Sequence, residues 1–374
     1  MSNKVIRSES ATISYLRGLA SLGVVIYHVR EDLWVGWKAI RTLPSATLFD
    51  KAVSMLSIPA PYMGSGVILF FLLSGFCIAL PYVGDRSRKF DFKEYGARRF
   101  FRIYPPYIFA IVLTLVIEVV LRAINNGSLS PLTTYLANIF MIQNYTTGAL
   151  TTNGVLWTLP IEMELYLTFP IVLYILSKYG TKVLLWATAA VSLTVMVFYL
   201  TGQSWLHDNF AMYWIIWTAG AILARNYAND TLRAPSNWVV VGGFLSVATA
   251  LVLQTKGVES AHLELLFGCF YFSLLWLGLT SEQNWADKIP KLFARVLNKL
   301  GTCSYSLYLI HKPIFRLWGT LWIRHFGSKP VNFLIPLAFV VLILPIAWFV
   351  YKLVEAPSHI LAKRMATAWR AQAA

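Results

Sequence analysis

ISYLRGLASLGVVIYHVR, residues 13–30, is the stretch from which the fold is read. It is apolar over nearly the length a bilayer requires, yet it carries a guanidinium and an imidazole. An α-helix turns about 100° per residue, so the eleven steps from Arg17 to His28 return both side chains to nearly one face, roughly 16 Å apart. That is about half the hydrocarbon thickness of a bilayer. Ionisable groups at such depth are expensive, face a protein interior or a watery cavity, and mark function. The spacing predicts one helix with a cation near one membrane surface and a proton acceptor beyond the midplane.

Composition extends this reading to the whole chain. Of 374 residues, 57% are hydrophobic and 13% charged, and the mean hydropathy is +0.59. A soluble domain is about one quarter charged, so the chain reads as an integral membrane protein. Long continuous apolar runs exclude a sheet barrel, whose segments are short and alternating. The fold class expected is all-α and polytopic, with ten spans near 12–30, 62–83, 103–124, 154–176, 183–200, 210–225, 237–254, 263–280, 301–322 and 331–353. The polar head MSNKVIRSESAT carries no cleavable signal peptide. Most of the 32 Lys and Arg fall in the two tails and alternate loops, which by the positive-inside rule puts both termini in the cytoplasm. The net charge of +15 is thereby topology and implies no nucleic acid. Cys77, Cys269 and Cys303 lie in apolar segments without disulfide or metal spacing, and read as small core residues.

No linker or second compositional region interrupts the chain, so 1–374 reads as a single membrane domain with a core at about 12–358 and no additional soluble domain. Two outer loops, 31–61 and 125–153, mix polar and aromatic residues in a way that suits either sugar binding or an interfacial aromatic belt. Leu132–Ile142 reads as a short re-entrant or interfacial helix. No internal repeat of the transporter kind is visible.

Three further segments carry chemistry. In DRSRKFDFKEYGARRFFRIYPPY, residues 85–107, Arg99 and Arg102 are three apart at the mouth of a helix whose first turns Pro105 and Pro106 would disturb. Two neighbouring guanidinium groups suit the phosphate oxygens of an anionic cofactor. Arg86, Arg88, Lys89 and Lys93 read as a solvated basic loop near lipid headgroups. In LWTLPIEMELYLTFP, residues 156–170, Glu162 and Tyr166 share a helix face, whereas Glu164 lies roughly 200° from Glu162. The carboxylate is either half of a structural ion pair or part of the reacting machinery. In GTCSYSLYLIHKPIF, residues 301–315, Tyr305, Tyr308 and His311 form a polar stripe, either an interhelical seam or a site lining. His207, His262, His325 and His359 read as ordinary surface residues. No P-loop, dinucleotide glycine pattern, HExxH or GxSxG stands in a usable context, so side chains must hold any phosphate.

Together these segments resemble the acyltransferase 3 family, integral membrane enzymes that O-acetylate bacterial surface sugars and related molecules. The family's R/K-x10-H signature matches Arg17 and His28, and its FFxLSGF matches Phe70 to Phe76. Its RxxR matches Arg99 and Arg102. Its W-S/T-L-x-x-E-x-x-F/Y-Y pattern matches Trp157, Thr158, Leu159, Glu162 and Tyr166, with Leu165 departing at an aromatic position. Its SYxxYLxHxP matches Ser304, Tyr305, Tyr308, Leu309, His311 and Pro313, and its late ExP matches Glu355 and Pro357. The likeness covers nearly the whole chain and is closest to members lacking an extracytoplasmic hydrolase-like domain.

The resemblance implies transfer of an acyl group, by family frequency acetyl, from acetyl-CoA as co-substrate to a hydroxyl, at the bacterial inner membrane. The acceptor is expected to be a carbohydrate: exopolysaccharide, lipopolysaccharide O-antigen or a lipo-oligosaccharide, with a macrolide-like product also open. His28 would be the general base, since imidazole is neutral near pH 7 and can activate a hydroxyl. Glu162 or Asp32 would orient it. Arg17 would neutralise phosphate or brace the thioester, and Arg99 and Arg102 would bind the CoA phosphates. Trp157, Tyr166, Tyr305, Tyr308 and His311 would line the site. Direct transfer and an acyl-histidine intermediate are both allowed. No metal and no resident cofactor are expected. The rival class is a secondary transporter or lipid-sugar flippase using the same Arg, His and Glu as a proton relay; a non-catalytic export scaffold is a third reading.

Overall fold

The computed structural model describes residues 10–84, 89–125 and 127–373. Arg86 and Arg88 of the basic loop lie outside the described residues; Lys89 and Lys93 are exposed, as expected of a solvated segment. The described residues form helices and no strand. In chain order these are α1 (Ala11–Leu33), α2 (Trp37–Thr42), α3 (Leu48–Ser54), α4 (Gly66–Ala79), α5 (Phe92–Asn125), α6 (Leu132–Ile139) and α7 (Thr158–Lys178). Then come α8 (Gly180–Leu200), α9 (Phe210–Ala228), α10 (Asn237–Thr255), α11 (Glu264–Trp285), α12 (Lys291–Phe326), α13 (Leu334–Val350) and α14 (Ala356–Ala373).

Among the described residues, seven helical stretches are long and apolar enough to cross a membrane: Leu48–Tyr82, Phe92–Asn125, Thr151–Lys178, Gly180–Leu200, Asn237–Thr255, Ser260–Lys288 and Leu334–Trp369. The expected spans 12–30, 210–225 and 301–322 fold as α1, α9 and α12. There, charged, hydroxylated and indole-bearing residues dilute the hydropathy below that of the other seven. The third expected span starts earlier than its apolar run. Asp91 Oδ1 accepts the Glu94 amide at 2.7 Å, an N-cap that starts α5 at Phe92. Pro105 and Pro106 therefore stand inside a continuous helix, where they remove the amides that would close onto the carbonyls of Phe101 and Arg102.

The chain divides into two compact units. Unit 1 comprises Met1–Ala20, Ser65–Phe90 and Ile161–Thr302, and unit 2 comprises Ser21–Gly64, Asp91–Pro160 and Cys303–Ala374. In unit 1, α4 packs on α9, α9 on α8, and α11 on both α10 and α4. The α4–α9 crossing is backbone on backbone. A methyl on Gly75 would stand 1.9 Å from the Trp217 carbonyl oxygen, and one on Gly220 would stand 2.1 Å from that of Leu72. The glycine of FFLLSGF is thus a packing requirement. The start of α1 is capped from α11: the Glu282 carboxylate accepts Ser10 Oγ, the Ala11 amide at 3.1 Å and Thr12 Oγ1 at 2.8 Å.

In unit 2, α5 packs on α14. The expected short helix is α6, held on α5 where Tyr107 Oη donates to Asn138 O at 2.7 Å and Tyr104 Oη to Ile139 O at 3.1 Å. Residues 31–61 are ordered into α2 and α3, and their polarity is inverted. Ser54 and Ser57 are buried, whereas Leu48, Phe49, Met55, Leu56 and Ile58 face outward. Such a face is unfavourable in water and suits the bilayer interface over a sugar-binding loop. Of the cysteines only Cys303 is buried; Cys77 is half-buried and Cys269 exposed, so the core role expected of all three holds for one.

Candidate functional site

Arg17 and His28 share one continuous helix, α1. His28 lies in unit 2, and its partner there is an imidazole, the His311 ring of α12. His28 Nδ1 is 3.1 Å from His311 Nε2 and 3.0 Å from the Val24 carbonyl oxygen, while His311 Nδ1 is 3.1 Å from the Leu307 carbonyl oxygen. A carbonyl only accepts, so His311 carries its proton on Nδ1 and, with both rings neutral, presents the Nε2 lone pair. His28 Nδ1 must then be the donor to Val24 and His311. The remaining nitrogen, His28 Nε2, is left as the basic lone pair, and no described residue hydrogen-bonds to it. Two α-helical carbonyls thus fix both tautomers, and His311 is fully buried.

Asp32, one candidate to orient His28, is engaged elsewhere. Its carboxylate is 3.1 Å from Lys312 Nζ and 3.4 Å from Arg316 Nη1. Tyr308 and His311 share a face as the spacing predicts, with ring centroids 5.9 Å apart. Tyr308 Oη reaches Val155 O and Thr158 Oγ1, both at 2.9 Å, and the Trp157 carbonyl accepts from Asn144 Nδ2 at 2.8 Å. Tyr305 Oη donates to the Ile103 carbonyl of α5 at 2.9 Å. Glu355, of the ExP motif, sits buried in the π-turn Tyr351–Glu355 and accepts Ser306 Oγ at 2.6 Å and the Ser306 amide at 3.1 Å.

Arg99 and Arg102 stand one turn apart in the first turns of α5, both half-buried. The Arg99 guanidinium lies over the Tyr95 ring at 5.7 Å. The neighbouring Arg98 is taken by Glu94 at 2.8 Å.

In unit 1 the FFLLSGFC stretch of α4 gathers two other predicted residues. Arg17 Nη2 reaches Cys77 Sγ at 3.3 Å, and no described carboxylate pairs with it. Glu162 accepts Tyr166 Oη, as their i, i+4 spacing predicts, and Ser74 Oγ at 3.4 Å. Ser74 and Cys77 are three apart, so one face of α4 holds both the arginine and the carboxylate. Glu164 faces away and accepts the Phe210 amide at 3.2 Å.

His207, read from sequence as a plain surface residue, is clamped between carboxylates: Nδ1 is 2.7 Å from Asp208 Oδ1 and Nε2 3.3 Å from Glu264 Oε1. Burial disfavours its charge, but the two carboxylates outweigh that and push its pKa up to about 10. No group of His, Cys, Asp and Glu suited to a metal occurs among the described residues.

Apolar helices long enough to cross a bilayer, with ionisable side chains gathered within them, define a helical membrane protein. The chain belongs to the acyltransferase 3 family, whose acyltransferase domain matches residues 10–352. It is similar to the O-acetyltransferase OatA of Staphylococcus aureus strain NCTC 8325, 24% identical over 378 residues that cover 91% of this chain and 56% of the relative. It is also similar to the putative O-acetyltransferase SACOL0978 of strain COL, 24% identical over 346 residues covering 84% and 52%. The chain thus spans about half the length of the curated relatives it matches. No solved structure matches it.

Proposed function

We propose that the protein is a multi-pass O-acyltransferase of the bacterial inner membrane, whose acyltransferase region crosses the bilayer ten times with both ends of that region in the cytoplasm. It moves an acyl group, acetyl foremost, from cytoplasmic acyl-CoA to a hydroxyl of a carbohydrate: exopolysaccharide, O-antigen or lipo-oligosaccharide. The observation that carries this reading is the His28–His311 pair, because it leaves His28 Nε2 as a directed base. His28 takes the acceptor's proton, the oxygen attacks the thioester carbonyl, and the CoA thiolate leaves. The family likeness and the O-acetyltransferase names of both relatives support the same chemistry.

The other roles rest on motif correspondence. Arg99 and Arg102 receive the CoA phosphates, Arg17 offers a guanidinium that no described carboxylate neutralises, and Glu162, hydrogen-bonded by Tyr166, is a further acid–base candidate. Trp157, Tyr305 and Tyr308 are the candidates to line the His28 site. The deciding experiment compares, by mass spectrometry, the surface glycans and lipid-linked sugars of cells with the intact gene and cells with His28→Ala at equal membrane abundance. Loss of one acyl mass increment from one glycan is expected, and it names both acyl group and acceptor. Unchanged glycans, together with purified protein that neither binds nor hydrolyses acetyl-CoA, would replace the enzyme by a transporter.

A further inference from the structure

The histidine pair is the first of four successive contacts between α1 and α12, all inside unit 2. Three and four residues beyond His28, Glu31 and Asp32 meet Lys312, the residue after His311. Lys312 Nζ lies 2.6 Å from Glu31 Oε2 and 3.1 Å from Asp32 Oδ2. One turn on, Arg316 Nη1 reaches Asp32 Oδ1 at 3.4 Å. One turn further, Gly319 admits the α1 backbone so closely that a methyl there would stand 2.5 Å from the Asp32 carbonyl oxygen. The last turn of α1 is further tied by Lys329 Nζ, which donates to the Glu31 carbonyl at 2.5 Å.

The members of this ladder differ in weight. Arg316 leaves 60% of its side chain exposed, so its attraction for Asp32 is screened. Lys312 and Asp32 are 16% and 4% exposed, and a cation at that depth is held by its partners in a fixed position. A helix shift that broke Lys312 from Asp32 would strand a buried carboxylate, which makes the register of α1 on α12 discrete. The same register sets the His28–His311 distance.

We propose that Lys312 is a positioning residue: its pairing with Asp32 and Glu31 locks α1 against α12 in the register that lets His311 hold the orientation of the His28 ring, whose tautomer the Val24 carbonyl already sets. The proposal rests on the reading of His28 as base, and a readout of the imidazole itself separates the two. The experiment uses the full chain in lipid nanodiscs, with Lys312→Met, Lys312→Arg and the double variant Lys312→Met/Asp32→Asn. His28 carbethoxylation by diethylpyrocarbonate is followed by mass spectrometry beside steady-state acetyl transfer. In Lys312→Met the His28 labelling rate is expected to change by at least about twofold, because a ring released from His311 presents its Nε2 lone pair in a different orientation to the reagent. Its kcat is expected to fall about tenfold with KM for acetyl-CoA unchanged, the pattern of a misplaced group. Lys312→Arg restores both. The double variant regains thermal stability, since no lone carboxylate remains, but it does not regain kcat. Equal labelling in Lys312→Met and wild type overturns the proposal, as does recovery of kcat in the double variant. Retention of activity in His28→Ala would instead refute the base reading and leave the labelling result standing.

Discussion

Asn153 Nδ2 donates at 3.0 Å to the Leu309 carbonyl, the one that α12 cannot satisfy from within because Pro313, four residues on, has no amide. Asn153 is wholly buried, holds a non-helical backbone, and shares the same amide with Thr114 Oγ1 at 3.1 Å. The proline of the HxP motif is thereby tolerated two residues from His311. Asn153→Ala should cost about 1–3 kcal/mol, the range for stranding a buried acceptor. In a Pro313→Ala background the helix supplies its own donor, and the loss should shrink by about half or more. A detergent thermal-melt cycle over the four proteins measures the coupling, and additive losses would refute it.

What the sequence disclosed and what it withheld follow from the range of the forces. Contacts set by helical period were legible: Glu162 with Tyr166 and Tyr308 beside His311 need only 3.6 residues per turn. The meeting of His28 with His311, 283 residues apart, needs two helices to cross, and no periodicity encodes the crossing. Pro313 leaves the Leu309 carbonyl without a helical donor, and no local pattern in the sequence points to Asn153 as the group that fills it. The start of α5 was misplaced because hydropathy marks the lipid-facing run, whereas the Asp91 cap marks the helix. His207 looked ordinary because Glu264 reaches it from another helix.

The α4–α9 crossing makes a graded prediction about glycine. Gly75→Ala should force the helices apart and destabilise by about 2–5 kcal/mol, as overpacking of a backbone contact does. Gly242, in α10, has nothing within 4 Å of its would-be methyl, so Gly242→Ala should stabilise by about 0.5–1 kcal/mol. Membrane yield and melting in detergent report both. Equal tolerance at the two positions would remove the packing explanation of the FFLLSGF glycine.

His207 predicts a pH-dependent stability. An unfolded histidine titrates near 6.5, and the folded one near 10. A pKa raised by folding stabilises fully below the unfolded value, and that stabilisation fades as pH climbs through the folded one. His207→Gln should therefore lose about 1–3 kcal/mol at pH 6. The gap to wild type should narrow from pH 7 upward and be nearly closed above pH 10. Parallel melting curves across that range would contradict it.

Arg102→Ala should raise KM for acetyl-CoA about tenfold, since a charge-assisted contact with phosphate is worth roughly 1.5–3 kcal/mol. Arg102→Lys keeps the charge but loses the planar fork, and should fall between the two. Dephospho-CoA thioester as donor should blunt the difference if the contact is to the ribose phosphate. A change confined to acceptor affinity would move Arg102 out of the donor site.

The histidine pair predicts that its members act as one unit. His311→Phe keeps the ring but removes the Nε2 acceptor, so His28 Nδ1 retains only the Val24 carbonyl. The His28 ring keeps its tautomer but loses one of the two groups that hold its orientation, and kcat should fall about 10- to 100-fold while KM for acetyl-CoA holds. His28→Ala should reduce transfer to background. If His311 works only through His28, the double variant is no slower than His28→Ala alone, which makes the two losses strongly non-additive. Single-turnover transfer from radiolabelled acetyl-CoA at matched enzyme concentration resolves the three rates. A double variant slower than His28→Ala by the full His311→Phe factor would mean that His311 has its own role in the reaction.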